Sequence, residues 1–322
     1  MPGVIRVLAA LACAVVCLLA QAQGYPAKAV RLVVPTSAGG GLDTLARAIG
    51  QRLSEAWGQQ VLVENKPGGT FVIGIEYVAR STPDGYTLLV TDASVVINSL
   101  LHSKLPYDPV KDLAPITGLV VTNLALVVNP ALPVKNIREL IELAKMKPGA
   151  LSYASFGTGS SAHLSMEMFQ AMAGIKLNHI PYKGAAPALI DVAAGHVQMM
   201  VGSVGVVLPQ WKAGKVRMLA VGSARRSARY PDLPTVAEAG LPGFEATGWF
   251  GLFAPAGTPR EAVNAINAEV RKIFSDPAFL GKNLDPQAFE PIVSSPEQFS
   301  DYMKSEALKW GKVVRDAKVK LD

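Results

Sequence analysis

Val30-Arg31-Leu32-Val33-Val34-Pro35-Thr36-Ser37-Ala38-Gly39-Gly40-Gly41-Leu42-Asp43 is the stretch on which the fold turns. Its β-branched apolar run reads as a strand buried on both faces, and the helix-length segment Leu42 to Trp57 follows across a turn of three glycines. A strand feeding a helix in this way opens a βαβ unit, and the rhythm continues outward with Val61 to Glu64, Gly74 to Arg80 and Tyr86 to Val90. The glycines let the backbone approach a bound group closely, and free amides at the helix start favour a carboxylate or phosphate without a cationic side chain. Asp43 reads equally as the cap of that helix and as a contact.

Further along, the rhythm resumes with a strand at Leu124 to Val128, a helix at Ile137 to Lys147, a strand at Leu151 to Ala154 and a helix at Ser160 to Ala173. A strand at Leu177 to Ile180, a helix at Ala186 to Ala194, a strand at Val197 to Val201 and a short helix near Val206 to Trp211 follow. A strand near Val216 to Val221 leads into the basic, turn-rich Ser223 to Pro234. An aromatic strand at Trp249 to Ala254 and long helices at Arg260 to Ser275 and Glu297 to Lys318 close the chain. The expectation is an α/β protein of two domains, each a mainly parallel sheet flanked by helices. Short crossings are expected near residues 121–123 and 221–223, so that residues 23–122 plus 223–322 form domain 1 and residues 123–222 form domain 2.

Half of the 322 residues are hydrophobic and 17% are charged, which excludes a disordered chain. Arg6 before the apolar run Val7 to Ala20, then Ala20-Gln21-Ala22, reads as a secretory signal over residues 1–22, cleaved near Ala22. About fourteen apolar residues fall short of the roughly 20 that span a bilayer. A membrane anchor is the rival reading of this stretch, and Ala10-Leu11-Ala12-Cys13 matches a lipobox only in diverged form. Cleavage at Ala22 removes both cysteines, Cys13 and Cys17, which suits an oxidising compartment. His102, His163, His179 and His196 lack metal-site spacing, and no metal is expected. Of the net charge of +6, nearly all lies in residues 123–222, with 9 Lys+Arg against 4 Asp+Glu. These charges are spaced singly and without interleaved aromatics, which argues against nucleic acid and for a mild field favouring small anions.

The middle of the chain repeats the opening motif: Ser155-Phe156-Gly157-Thr158-Gly159-Ser160-Ser161-Ala162-His163 follows a strand and enters a helix. Two anion-binding helix starts, one per domain, imply a cleft between them. The partial dinucleotide pattern Gly157-x-Gly159-x-x-Ala162 lacks the acidic residue that a ribose requires after the next strand, so no nucleotide cofactor is expected. Other polar residues close strands at the same sheet end: Asp92 and Ser94, Tyr182 and Lys183, Gly202 and Ser203. Catalysis fares worse. Val201-Gly202-Ser203-Val204-Gly205 has valine where a nucleophile elbow needs glycine. As catalytic groups, His163 reads more simply as structural, and Asp191, Asp92 and Glu167 as helix-surface or turn residues.

With these motifs in view, the chain resembles the Bug-type extracytoplasmic solute receptors of tripartite tricarboxylate transporters. The resemblance covers essentially the whole chain after residue 22. It rests on Tyr25-Pro26 with Val30 to Pro35, the glycine loop to Asp43, Val63-Glu64-Asn65-Lys66-Pro67-Gly68, and Pro83-Asp84-Gly85-Tyr86-Thr87-Leu88. It continues through Leu105-Pro106-Tyr107-Asp108-Pro109, Tyr153-Ala154-Ser155, Pro181-Tyr182-Lys183-Gly184, Pro234 to Gly240 and Gly248-Trp249-Phe250-Gly251.

The resemblance implies a two-domain, clamshell periplasmic-binding-protein fold. It implies a monomer without cofactor or catalysis that captures a small carboxylate between its domains, in the periplasm, and delivers it to membrane permease subunits. Thr36, Ser37, Ala38, Gly39 and Gly40, with Gly157, Thr158, Gly159, Ser160 and Ser161, are the positions implied to hold the carboxylate, largely through amides and water. Gly202 stands where family members often carry an aspartate, and Gly68 to Gly74 is more apolar than the usual loop. Both departures point to a plain or partly apolar carboxylate rather than an amino acid. Two other readings use the same residues: a sensory module that presents its liganded form to a membrane kinase, and a secreted serine hydrolase using Ser160 or Ser203 with His163.

Overall fold

The computed structural model describes residues 25–68, 70–227, 230–316 and 319; the secretory signal expected at 1–22 lies outside them. The first core grows from β1 (Val30–Val34), which pairs in parallel with β2 (Val61–Asn65) and β3 (Thr87–Asp92). Helix α1 (Gly41–Trp57) buries Leu42, Leu45, Ala46, Ile49 and Leu53 against this sheet, the three- and four-residue spacing of a single helix face. Helices α2 (Val72–Ala79) and α3 (Ser94–Leu101) follow β2 and β3.

Strand β4 (Leu113–Val128) carries the chain from one core to the other. Its leading part, Leu113 to Asn123, pairs antiparallel with β9 (Thr247–Pro255), and Val120 to Thr122 also pair with β10 (Phe289–Pro291). Its last five residues pair antiparallel with β7 (Met199–Ser203), and the last four also with β8 (Arg217–Val221). The second core is completed by helix α4 (Ile137–Met146), β5 (Ser152–Ser155), α5 (Ser161–Ala173), β6 (Asn178–Pro181), α6 (Ala185–Ala194) and α7 (Val204–Lys212), with β5 parallel to β6 and β7. Each sheet is therefore mixed rather than mainly parallel. The βαβ strands run parallel, whereas β4 leads out of the first sheet and β9 leads back into it, so these two lie antiparallel.

Beyond β8 the chain stays with the second core. Val236, Leu241, Phe244 and Ala246 are buried there, the Gly222 amide donates to the Leu124 carbonyl at 2.7 Å, and the Ala246 amide donates to the Gly222 carbonyl at 2.8 Å. The return to the first sheet falls at Ala246 and Thr247, later than the 221–223 read from the sequence, because these apolar anchors stand singly among turns and have no period. Helix α8 (Arg260–Phe274) covers the first core, and the last helix, α9 (Pro296–Asp316), packs Phe299, Met303 and Trp310 with Trp249, Phe253 and Leu164 of α5. Among the described residues no helix is long and apolar enough to cross a membrane.

Candidate functional site

Strands β1 and β3 run opposite to β5, β6 and β7, so the ends of all five meet between the two cores, and each passes into a helix there: α1, α3, α5, α6 and α7. First-turn amides of a helix have no partner within it, and their aligned dipoles place partial positive charge at this end. Residues at or just before these five starts, namely Gly40, Asp92, Ser161, Ala185 and Ser203, line one cavity, with Thr36, Gly41, Leu42, Phe71, Thr122, Leu124, Phe156 and Phe250. Its wall comes from both cores. Its volume is about 30 Å³, room for one or two waters. Among the described residues no Lys, Arg or His lines it, so the positive potential at these helix starts comes from backbone.

The first glycine loop is held from behind by charge. Asp43 is buried, and its Oδ2 accepts from the Gly39 amide at 2.9 Å and from Arg47 Nε at 3.0 Å. Its Oδ1 receives Asn65 Nδ2 at 2.9 Å and an Arg47 guanidinium nitrogen at 3.0 Å. Asn65 also donates to the Thr36 carbonyl. Burial opposes the charge, yet the bonds from Arg47, Gly39 and Asn65 hold the Asp43 carboxyl below the usual range. Asp43 thus neither caps α1, whose cap is Gly40, nor lines the cavity; it fixes the loop. Within that loop Thr36 and Gly40 face the cavity, Ala38 and Gly39 are exposed, and the Ser37 amide reaches across to the Lys183 carbonyl at 2.9 Å.

The second loop is held without net charge. Ser155 Oγ donates to the Gly157 carbonyl at 3.0 Å, receives the Gly157 amide and meets His179 Nε2 at 2.6 Å. Ser160 caps α5: its Oγ accepts from the His163 amide and donates to the Gly157 carbonyl. The Gly159 amide donates to His163 Nδ1 at 3.1 Å, so that ring nitrogen carries no proton. The rings of His163 and His179 stack at 4.1 Å, with Tyr153 stacked on His179 at 4.9 Å. Burial pushes both imidazoles down to about 4, and for His179 the neighbouring His163 adds to it. Glu167 accepts from Tyr153 Oη at 2.6 Å and lies 3.8 Å from His163 Nε2. Ser160 Oγ is engaged by the Gly157 carbonyl and the His163 amide, and His163 Nδ1 by the Gly159 amide.

Of the other sequence candidates, Ser161, Ser203 and Asp92 line the cavity, and Ser94 is fully buried beside Asp92. Gly157, Thr158 and Tyr182 line a more open depression that also includes Phe71 and Phe156; Tyr182 Oη donates to Asp191 at 2.5 Å. Asp92 is no turn residue in the solvated sense: it is 4% exposed. Gly202 faces away, since a Cβ there would meet Met200 and Val207 at 3.0 and 3.1 Å, in the core on the other side of β7. An aspartate at 202 would not reach the cavity. The sequence reading missed Phe71, Thr122, Leu124, Ala185 and Phe250. Phe71 is brought to the wall by consecutive left-handed residues, Thr70 at φ 55° and Phe71 at φ 71°, with the Thr70 carbonyl tied to Asn98 Nδ2 at 2.8 Å. Among the described residues no three His, Cys, Asp or Glu side chains gather to hold a metal ion.

Two α/β cores joined by a shared strand, with helix starts converging on a cavity between them, are the architecture of two-domain periplasmic binding proteins. More narrowly, the chain belongs to the tripartite tricarboxylate transporter receptor family, whose model (TctC, tripartite tricarboxylate transporter family receptor) matches residues 45–319. It is 35% identical over 302 residues to protein BugT of Bordetella pertussis (strain Tohama I), covering 93% of this chain and 92% of BugT. Among solved structures, it superposes on that of an R. palustris protein with adipate at a TM-score of 0.89, with 36% identity, covering 92% of this chain and 99% of the other. For MatC from Rhodopseudomonas palustris with bound malate, the TM-score is 0.85 at 30% identity, covering 90% and 100%. Members of this family are solute-binding receptors.

Proposed function

We propose that this chain is a periplasmic receptor that captures a small carboxylate in the cavity between its two cores and delivers it to the membrane permease subunits of a tripartite transporter. The observation that carries this reading is the convergence of five helix starts on a cavity that, among the described residues, has no cationic side chain, where free amides are the groups that meet an anion. Thr36, Gly40, Gly41 and Ser161 are the expected contacts for the carboxylate, and Phe71, Leu124, Phe156 and Phe250 give the rest of the ligand an apolar bed. The adipate and malate bound to the similar proteins are of this class. A cavity of about 30 Å³ does not admit them as it stands. Entry therefore requires the two domains to part and close again, hinged where β4 passes between cores and at the Ala246–Thr247 return. We place the domain boundaries at these two crossings and the working molecule as a monomer, secreted with removal of its signal.

A thermal-shift screen of the mature chain, stripped of co-purified ligand, tests this against mono-, di- and tricarboxylates, aromatic carboxylates, amino acids and neutral amides. A ligand at 100 times its dissociation constant is expected to add about 2.7 kcal/mol of stability. A shift confined to a carboxylate class supports the reading; a shift with neutral amides alone, or with nothing, overturns it.

A further inference from the structure

Among the described residues, the one ionisable side chain in the cavity wall is an acid. Asp92 ends β3 and is 4% exposed, and its Oδ1 accepts from the Ser94 amide at 2.9 Å. Hydroxyls share the wall: Thr36 Oγ1 is buried without a hydrogen-bond partner, Ser94 turns its hydroxyl as well as its amide to the Asp92 carboxyl, and Ser161 and Ser203 line the wall from the second core. A second titratable group near it is the buried Tyr107 phenol, which burial pushes up and keeps neutral. Among the described residues no lysine, arginine or histidine joins the wall to balance a charge on Asp92, and burial outweighs the hydrogen bonds from Ser94 and raises its carboxyl above the ordinary range. A charged Asp92 would repel a carboxylate held in the same small space, where little water screens the pair. A protonated Asp92 has the opposite effect, because its O–H is a donor aimed at an acceptor.

We propose that Asp92 takes up a proton from solvent when the two domains close and donates it as a hydrogen bond to a carboxylate oxygen of the ligand, so that carboxylate binding is coupled to the uptake of one proton. This rests on the receptor reading above. In the open state water reaches Asp92 and the carboxyl is ionised at neutral pH; in the closed state the O–H is shared with the ligand. Affinity then rises as pH falls, by about tenfold per pH unit between the open-state and closed-state values. The same donor selects against an ammonium group at this position, since an O–H offers it no free charge.

Isothermal titration of the mature chain with adipate, and with malate, in buffers of different ionisation heat at one pH counts the protons. One proton taken up per ligand is expected, together with the tenfold dependence on pH, and Asp92→Asn is expected to take up none and to lose the slope. An infrared difference spectrum of the unmodified chain with and without adipate is expected to gain the carbonyl stretch of a protonated carboxyl, a measurement that does not depend on the variant folding. Carboxylate binding without proton uptake, or with unchanged uptake in Asp92→Asn, overturns the assignment to Asp92 and leaves the receptor reading standing. So does tighter binding of ammonium ligands without uptake. Absence of binding by adipate, malate and the whole carboxylate screen removes the receptor reading, and this inference with it.

Discussion

The two glycine loops border the gap between the cores from opposite sides, and they are braced by opposite means. Behind the first, Asp43 gathers the Gly39 amide, Asn65 and Arg47 into a network of formal charges. Behind the second, Ser155, Ser160, His163 and His179 hold the Gly157 to Gly159 turn with hydroxyls and neutral rings. Similar turns can thus be pinned by chemistry that responds to acid in different ranges. The first brace depends on a carboxylate held low, so it persists above the ordinary aspartate range and fails only below it. The second depends on imidazoles that must stay uncharged, and acid reaches it first.

The contrast is broken most sharply by protonating the second loop. The fold favours neutral His163, moving it from 6.5 to about 4, so its stabilisation is complete above pH 6.5 and is lost as the pH falls towards 4. About 3 kcal/mol is at stake. Urea unfolding of the wild type and His163→Gln at pH 7 and pH 4 is expected to differ by this much between the two pH values, with the wild type losing more; parallel curves would sink the idea. Next comes Gly159→Ala. This residue has φ +82°, and an added Cβ would lie 2.8 Å from Asn98 Oδ1, a buried side chain of the first core. Left-handed strain and the clash together predict carboxylate binding weaker by on the order of 100-fold, read by calorimetry. The smallest effect is Asp43→Asn, which leaves Arg47 without its charge partner and turns an amide donor towards other donors. It is expected to lower the unfolding free energy by about 2 kcal/mol, measured at pH 7. A loss that also appears in the wild type only below the ordinary aspartate range would confirm which loop the acid reaches last.

Much of this was legible in the sequence. Strands buried on both faces show as runs such as Val30 to Val34, and positive φ leaves glycine at positions such as Gly39 and Gly159, so the helix starts and both loops could be read directly. The rest was hidden for identifiable reasons. Strand β4 was read only at Leu124 to Val128, because Pro115 and Gly118 interrupt the run; register shifts at these points let the pairing continue. Phe71, Leu124, Phe156 and Phe250 look like core residues, since a cavity wall and a core ask for the same side chains. Ser203 faces the cavity and Gly202 does not, a difference set by the two-residue period of β7. Asp92 looked like a turn residue because a short acid after a strand carries no sign of being buried.

Strand β4 also decides how the molecule can be taken apart. With sixteen residues paired to both sheets, it is a beam common to two rooms, and any cut that frees one core removes an inner strand from the other. The two halves are separable as places in the structure but not as pieces of the chain, so an insertion or fusion is best borne at the exposed turns, and evolution by exchange of a single half has no clean seam to follow.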